Sequence, residues 1–381
     1  MCGIFVINPG STSDELCFYK DDQLVFHDVS RYSPDQLAPY EHQSVLSQLD
    51  FRFKLIVETV EKNQINLNDI DGIIGRGGLL HPIPSGTYLV DEKMLEDLRQ
   101  GLMGDHPSNL GGILAVKLAQ LVESSTEKSI PAFIADPVVV DEMWEWSRYS
   151  GMPENPRISI FHALNQKRVA RNVAEKIGKP YQDLILIVIH GGGGISVGLH
   201  YKGKVVDVNN ALDGEGPFTP QRSGGVPAGG LARMCFSGKY KLDEIKLKIK
   251  GRGGLVSYVG TSDLVLLENY IKGQPVDLSQ QKQIKPEITA QKAAKIVEAM
   301  SYQIVKEVGS LAAAAGVAPD GIVFSGGIAY CDLVVDFIRK KLSWISEIFV
   351  IPGGDEMSAL NDAARRVLSG AEKSKCYSDY I

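Results

Sequence analysis

The chain has 381 residues, a formal net charge of -6, 44% hydrophobic and 23% charged residues. At roughly 150 residues per domain that length suggests two domains, each able to bury an ordinary globular core. No long basic run marks a nucleic-acid or anionic-membrane partner, and no apolar run reaches the ~18 residues of a membrane span. Five scattered cysteines, an odd number, fit reduced thiols better than a disulfide framework. With no secretory leader read at Met1, a cytoplasmic protein is expected.

The first element is a buried strand that runs into a small, hydroxyl-rich turn, "IFVINPGSTSDEL" from Ile4 to Leu16. Asn8, Gly10, Ser11, Thr12 and Ser13 sit where backbone N–H groups can approach an anion, Gly10 adding no Cβ. Two acids follow at once, Asp14 and Glu15. Period-two alternation places them on opposite faces of the next strand, so at least one points away from a bound phosphate. Both are expected to be bystanders, as most surface charges are.

Apolar 3.6-residue periodicity then predicts helices at about 44–62 and 109–123, with Ser108 or Asn109 as cap of the second. Between them an apolar strand ends at Gly75, and Arg76 follows in "IIGRGGLL". Asp136 ends another strand in "AFIADPVVVDEM", as a turn residue or a catalytic one. His162 ends a further apolar strand in "RISIFHALNQK", at the start of a helix over 163–177, as a structural or a catalytic histidine.

The next stretch, "LIVIHGGGGISVGLHYKGKVVDV" over 186–208, has the grammar of the first. At a gapless offset of 182, Val6 meets Val188, Asn8 meets His190, Gly10 meets Gly192 and Tyr19 meets Tyr201. Each copy reads strand, glycine turn, strand, tight turn (Asp21-Asp22 or Gly203-Lys204), strand. This long, weak repeat suggests an internal duplication with a cleft between the halves. Neither turn is a Walker A loop or a dinucleotide fingerprint. The run Gly191, Gly192, Gly193, Gly194 costs chain entropy, which favours phosphate contact over an ordinary hairpin turn.

Arg222 lies in "GPFTPQRSGGVP". Like Arg76 it sits beside glycines, where little is expected to pack, and a guanidinium fork suits phosphoryl or carboxylate oxygens. Helices are predicted at 241–250, 287–315 (with Thr289 in its first turn), 332–342 and 356–369, and a loop at 273–287. A strand ends at Phe324 before the turn Ser325, Gly326, Gly327, which would let an adenosine lie on bare backbone. "FVIPGGDEM" presents Asp355 and Glu356 at a helix N-terminus, as dipole partners or as magnesium ligands.

Together "INPGSTS", "GRGGLLHPIPSGTYLVD", "HPSNLGG", "DPVVVDEM", "IFHALNQK", "HGGGGISVG", "VNNALDGEGPFTPQRSG", "GGLVSYVGTSD" and "SGGIA" span Ile4 to about Leu368. In these motifs the chain resembles the acetate/butyrate kinase family, and within it the butyrate kinases. The resemblance implies an α/β fold of two duplicated actin-like, sugar-kinase-like (ribonuclease H-like) ATPase domains. The expected boundaries are 1–137 completed by 357–381, and 138–356. It implies ATP-dependent, reversible phosphorylation of a short-chain carboxylate, butyrate or a branched analogue, to the acyl phosphate. Acetate or propionate as substrate, or a nucleotide-binding regulator of the same fold, are the alternatives.

The implied roles follow the motifs. Arg76, Asp136, His162 and Arg222 are catalytic positions. Asn8, Gly10 to Ser13, His190 to Gly194 and Ser325 to Ile328 line ATP. Asn8 with Asp355 or Glu356 is linked to Mg²⁺. The partners implied are ATP or ADP and the carboxylate or acyl phosphate, in a homo-oligomer of at least two chains. Asp14-Glu15 departs from the Thr-Lys common in the family.

Overall fold

A computed structural model describes residues 2–381. The described chain divides into two compact units, one running to Asp141 and resuming at Asp355–Ile381, the other spanning Glu142–Gly354.

The first unit is built on a seven-stranded sheet. Its strands are β1 (Gly3–Pro9), β2 (Ser13–Lys20), β3 (Gln23–Arg31), β4 (Gly72–Arg76), β5 (Thr87–Leu89) and β6 (Ala132–Ala135), with a two-residue strand, Lys375–Cys376, at one edge. β3, β2 and β1 form an antiparallel meander, and β1, β4 and β6 run parallel. β1 is buried at every position, as a strand covered on both faces must be, and reads as a continuous apolar run. Phe5, Ile7, Leu16 and Phe18 face helices Leu49–Lys62 and Asn109–Thr126, whose Ile56, Leu110 and Leu114 complete that core. The Glu356–Leu368 helix contributes buried Met357, Leu360 and Ala364 to the same unit.

The second unit carries a five-stranded sheet from β7 (Ile185–Gly191), β8 (Ile195–Tyr201), β9 (Lys204–Val208), β10 (Gly321–Gly326) and β11 (Ile348–Pro352), in the order β11-β10-β7-β8-β9. One face packs on helix Ala290–Ala314 through Ile187, Ile189, Met300 and Ile304. The other packs on helix Ala163–Ile177 through Leu186, Val188, Val169 and Val173.

The duplicated meander is present in both units, with one correction to its alignment. Asn8 pairs with Glu15 and Pro9 with Asp14, so four residues close the first turn; Gly191 pairs with Ile195, so three close the second. The offset is therefore 182 along β1 and β7 but 181 beyond the turn. Both second strands shift register at the same place in that frame, at Phe18/Tyr19 and Leu199/His200. Tyr19 corresponds to His200, not Tyr201. The second tight turn is Lys202-Gly203, not Gly203-Lys204, and Lys202 shares its left-handed φ (51°) with Asp21 (54°). A one-residue slip exchanges the faces of a strand, and no gapless comparison detects it.

Most predicted helices are present within a few residues. Thr289 lies just outside its helix as the cap, accepting from the Lys292 N–H, whereas Ser108 makes no side-chain cap. Helices Glu92–Gln100, Ala228–Cys235, Gly254–Val259 and Leu264–Ile271 were not anticipated. They are short, and helices of that length gain their stability from packing more than from periodicity.

Candidate active site

In the first unit, parallel pairing sets Ile7 beside Gly75 and Arg76 beside Ala135. Asn8, Arg76 and Asp136 therefore leave the sheet together at the carboxyl ends of β1, β4 and β6, where open α/β sheets bind ligands. Arg76 Nη1 donates to Glu356 Oε2 at 2.8 Å and to Asn8 Oδ1 at 3.3 Å, and Asn8 Nδ2 donates to the same Glu356 oxygen at 3.0 Å. The two acids at the helix start separate in role. Asp355 Oδ1 accepts from the Ser358 N–H as N-cap, while Glu356 turns to the arginine.

Asp136 is 4% exposed and adopts φ 38° immediately before Pro137. That conformation costs about 1 kcal/mol or more in a non-glycine residue and needs to be held. Ser85 Oγ and the Gly86 N–H donate to its Oδ1 at 2.6 and 2.8 Å, and its own N–H donates to the Gly86 carbonyl.

The first turn closes on itself. The Gly10 N–H donates to Ser13 O at 2.7 Å, and Thr12 O accepts from the Tyr32 N–H, leaving Ser11 and Thr12 exposed at the tip. The expectation that both following acids are surface bystanders fails for Asp14. It is 1% exposed, ion-paired with the fully buried Arg52 and bonded by the Tyr32 hydroxyl. Burial pushes its carboxyl above the ordinary value, against the pull of Arg52. Glu15 lies on the opposite face and meets the His27 ring at 2.9 Å.

In the second unit His190 is set beside Ser325 and Gly326 beside Pro352, again at strand ends. The Ser325 hydroxyl lies 3.3 Å from His190 Nδ1 and 3.2 Å from Ile189 O. Gly326 has φ 86°, and a Cβ there would collide with the Gly191 carbonyl, so this crossing admits only glycine. Gly327 and Ile328 begin a single 3₁₀ turn after β10. His162 precedes its helix after an irregular stretch over 157–161, where a strand was expected; its ring is tilted 34° against that of His190 with centroids 4.5 Å apart, and its Nδ1 lies 2.9 Å from Ser196 Oγ.

The second glycine turn is tied to the Arg222 segment. The Gly192 N–H donates to Gly194 O, and Thr219 Oγ1 donates to Gly193 O at 2.6 Å. A side chain on Gly194 would collide with the Arg222 guanidinium, which donates to Ala211 O at 2.5 Å. Arg222 is thus packed into its surroundings, contrary to the expectation from its glycine neighbours. Burial pulls its guanidinium below the ordinary value.

Sequence reasoning passed over Ser196 and Gln166. Gln166 stands four residues after His162, one turn into the helix, where its N–H donates to the His162 carbonyl; that spacing was an available signal. Ser196 had none, since its contact with His162 crosses 34 residues of chain.

The fold is that of the acetate and propionate kinases. The Porphyromonas gingivalis acetate kinase superposes at TM-score 0.73 and 18% identity, over 97% of this chain and 100% of the other. The Francisella tularensis propionate kinase gives TM-score 0.70 and 18% identity, over 96% and 100%. In sequence the chain is 46% identical to the probable butyrate kinase of Elusimicrobium minutum and 46% identical to butyrate kinase 2 of Clostridium acetobutylicum, in each case over 98% of this chain and 99% of the relative. The acetokinase family profile matches residues 157–374. The chain belongs to the acetokinase family.

Proposed function

We propose that this enzyme transfers the γ-phosphoryl group of ATP to butyrate or a branched analogue, reversibly, giving the acyl phosphate and ADP. The observation that carries the reading is the convergence of Asn8, Arg76 and Glu356 at the strand ends of a chain 46% identical to butyrate kinases. A carboxylate oxygen attacks phosphorus and the bond to the β–γ bridging oxygen breaks. An acid of pKa about 4.3 is already ionised at neutral pH, so no general base is required. The barrier is the approach of two anions, and positive charge with in-line positioning lowers it.

Arg76 supplies a guanidinium held in place by Glu356, and Arg222 a second one beside the Gly191–Gly194 turn. His190, near the end of β7, and His162, at the start of helix Ala163–Ile177, present neighbouring imidazole rings. The amide oxygen of Asn8 and the carboxylate of Glu356 are hard donors that fit Mg²⁺. Among the described residues no group of three or more His, Cys, Asp or Glu could form a metal cage. That suits an ion that arrives on the nucleotide and keeps its waters. When bound, it would neutralise charge on the transferring phosphate. The regulator alternative drew on Asp14-Glu15; Asp14 leaves that argument by pairing with Arg52, while Glu15, opposite Asn8 in the ladder, stays in it.

Acyl phosphate trapped with hydroxylamine, measured for acids of two to five carbons, tests the proposal. Butyrate should exceed acetate about tenfold in kcat/KM, two buried methylenes at about 0.8 kcal/mol each. Equal or better use of acetate would move the preference to the shorter acid, and no trapped product with any acid would favour the regulator.

A further inference from the structure

A buried line of polar side chains runs inward from His162, and its hydrogen-bond directions can be read one by one. Gln166 is 0% exposed, with Nε2 3.1 Å from Ser196 O and 2.8 Å from Ser196 Oγ. A backbone carbonyl only accepts, so the amide must present its NH₂ there; the flipped amide would set two acceptors against each other. Gln166 Oε1 consequently faces His200 Nε2 at 2.9 Å and must receive a proton from it. His200 is wholly buried, and burial together with nearby Lys167 and Arg171 holds its ring well below the usual range, hence neutral. Its Nδ1 is then a lone pair, accepting from the Tyr181 hydroxyl at 2.7 Å.

At the other end, Ser196 Oγ accepts from Gln166 and retains one proton to give. His162 Nδ1, 2.9 Å away, is the acceptor within reach. The space for this arrangement is built into the strand: a Cβ at Gly198 of β8 would collide with Gln166 Oε1.

We propose that Ser196 and Gln166 are positioning residues that fix His162 in one tautomer, with Nδ1 accepting and the Nε2–H directed away from the buried chain as a hydrogen-bond donor. The polarity runs from the Ser196 carbonyl, which can only accept, through the Gln166 amide to the serine hydroxyl, whose proton is directed to the imidazole. His162 thereby offers a donor without first acquiring a proton, which suits a developing charge on a phosphoryl or carboxylate oxygen. This last step rests on the reading that His162 meets the reacting groups; the tautomer does not.

The two parts separate in one experiment. Full-length protein carrying ¹⁵N-histidine is studied by NMR at neutral pH, with His162 assigned by its loss in His162→Asn. Wild type should show a pyridine-like Nδ1 and a pyrrole-like Nε2. Ser196→Ala should mix the tautomers and lower kcat for acyl phosphate about tenfold while leaving KM for MgATP within twofold; Ser196→Thr, which keeps the hydroxyl, should restore both. A protonated Nδ1 in wild type, or an unchanged spectrum in folded Ser196→Ala, overturns the proposal. If the spectra behave as stated but His162→Asn turns over normally, the tautomer stands and the placement of His162 at the reacting groups fails.

Discussion

Asp14 and Arg52 form a buried ion pair at the base of the first glycine turn, the aspartate 1% and the arginine 0% exposed. Gln48 Oε1 accepts from Arg52 Nε and Nη2, and the Tyr32 ring lies 5.0 Å beneath the guanidinium carbon. The acid that looks out of place after a phosphate turn is thus an anchor. It ties β2 to helix Leu49–Lys62 on the core face, while Glu15 takes the face shared with Asn8.

Removing one partner of such a pair leaves a charge stranded in the core, at a cost of about 3–5 kcal/mol. Arg52→Met should lower the urea-unfolding free energy by that amount, and Asp14→Leu/Arg52→Met should recover most of the loss. Asp14→Thr/Glu15→Lys, a swap that would be mild on a surface, should destabilise for the same reason. A change below about 1 kcal/mol in Arg52→Met would contradict the pairing.

The Arg76–Glu356 pair belongs to a different class. Its side chains are 29% and 24% exposed, and partly solvated pairs contribute about 1 kcal/mol or less. Glu356→Gln should therefore leave unfolding nearly unchanged while cutting kcat/KM about 10²-fold and raising the Mg²⁺ concentration needed for half-maximal rate. Normal turnover with normal magnesium dependence would remove Glu356 from the site.

Gly194→Ala should displace the Arg222 guanidinium from its bond to Ala211 O. Both the melting temperature and turnover should fall, because this arginine holds its loop as well as facing the turn. Loss of turnover at an unchanged melting temperature would show that Arg222 contributes nothing to packing.

His200 links stability to pH. Its folded value lies well below 6.5, so the native state resists protonation while the unfolded chain accepts it. The stabilisation is complete above the unfolded value and is lost as pH falls from about 6.5 towards the folded value, at up to 1.36 kcal/mol per unit. Unfolding free energies measured from about pH 7.5 to 5.5 should show this slope in wild type and a shallower one in His200→Gln. Identical slopes would exclude a buried neutral His200.

Much of the molecule was legible in the chain because the signals are local. The apolar runs of β1 and β7, the glycine turns after them and the long amphipathic helices follow from neighbouring residues, and matching two such local patterns along the chain revealed the duplication. Asn8, Arg76, Asp136 and His190 were legible as strand-end positions, since a polar residue after an apolar strand is a local pattern; His162 was legible as a helix start, but the apolar run before it, 157–161, forms no strand. What each side chain meets was decided by the tertiary structure. Glu356 reaches Asn8 across 348 residues, Asp14 meets Arg52 across 38, and Ser196 meets His162 across 34. The one-residue difference between the two turns lay beyond a gapless reading too, since hydrogen-bond register is set by the paired strand rather than by the strand's own residues. Sequence alone marked the apolar runs and where the chain turns; the register across those turns, which acid became an anchor and which met the arginine of the site were settled by distant segments packed against them.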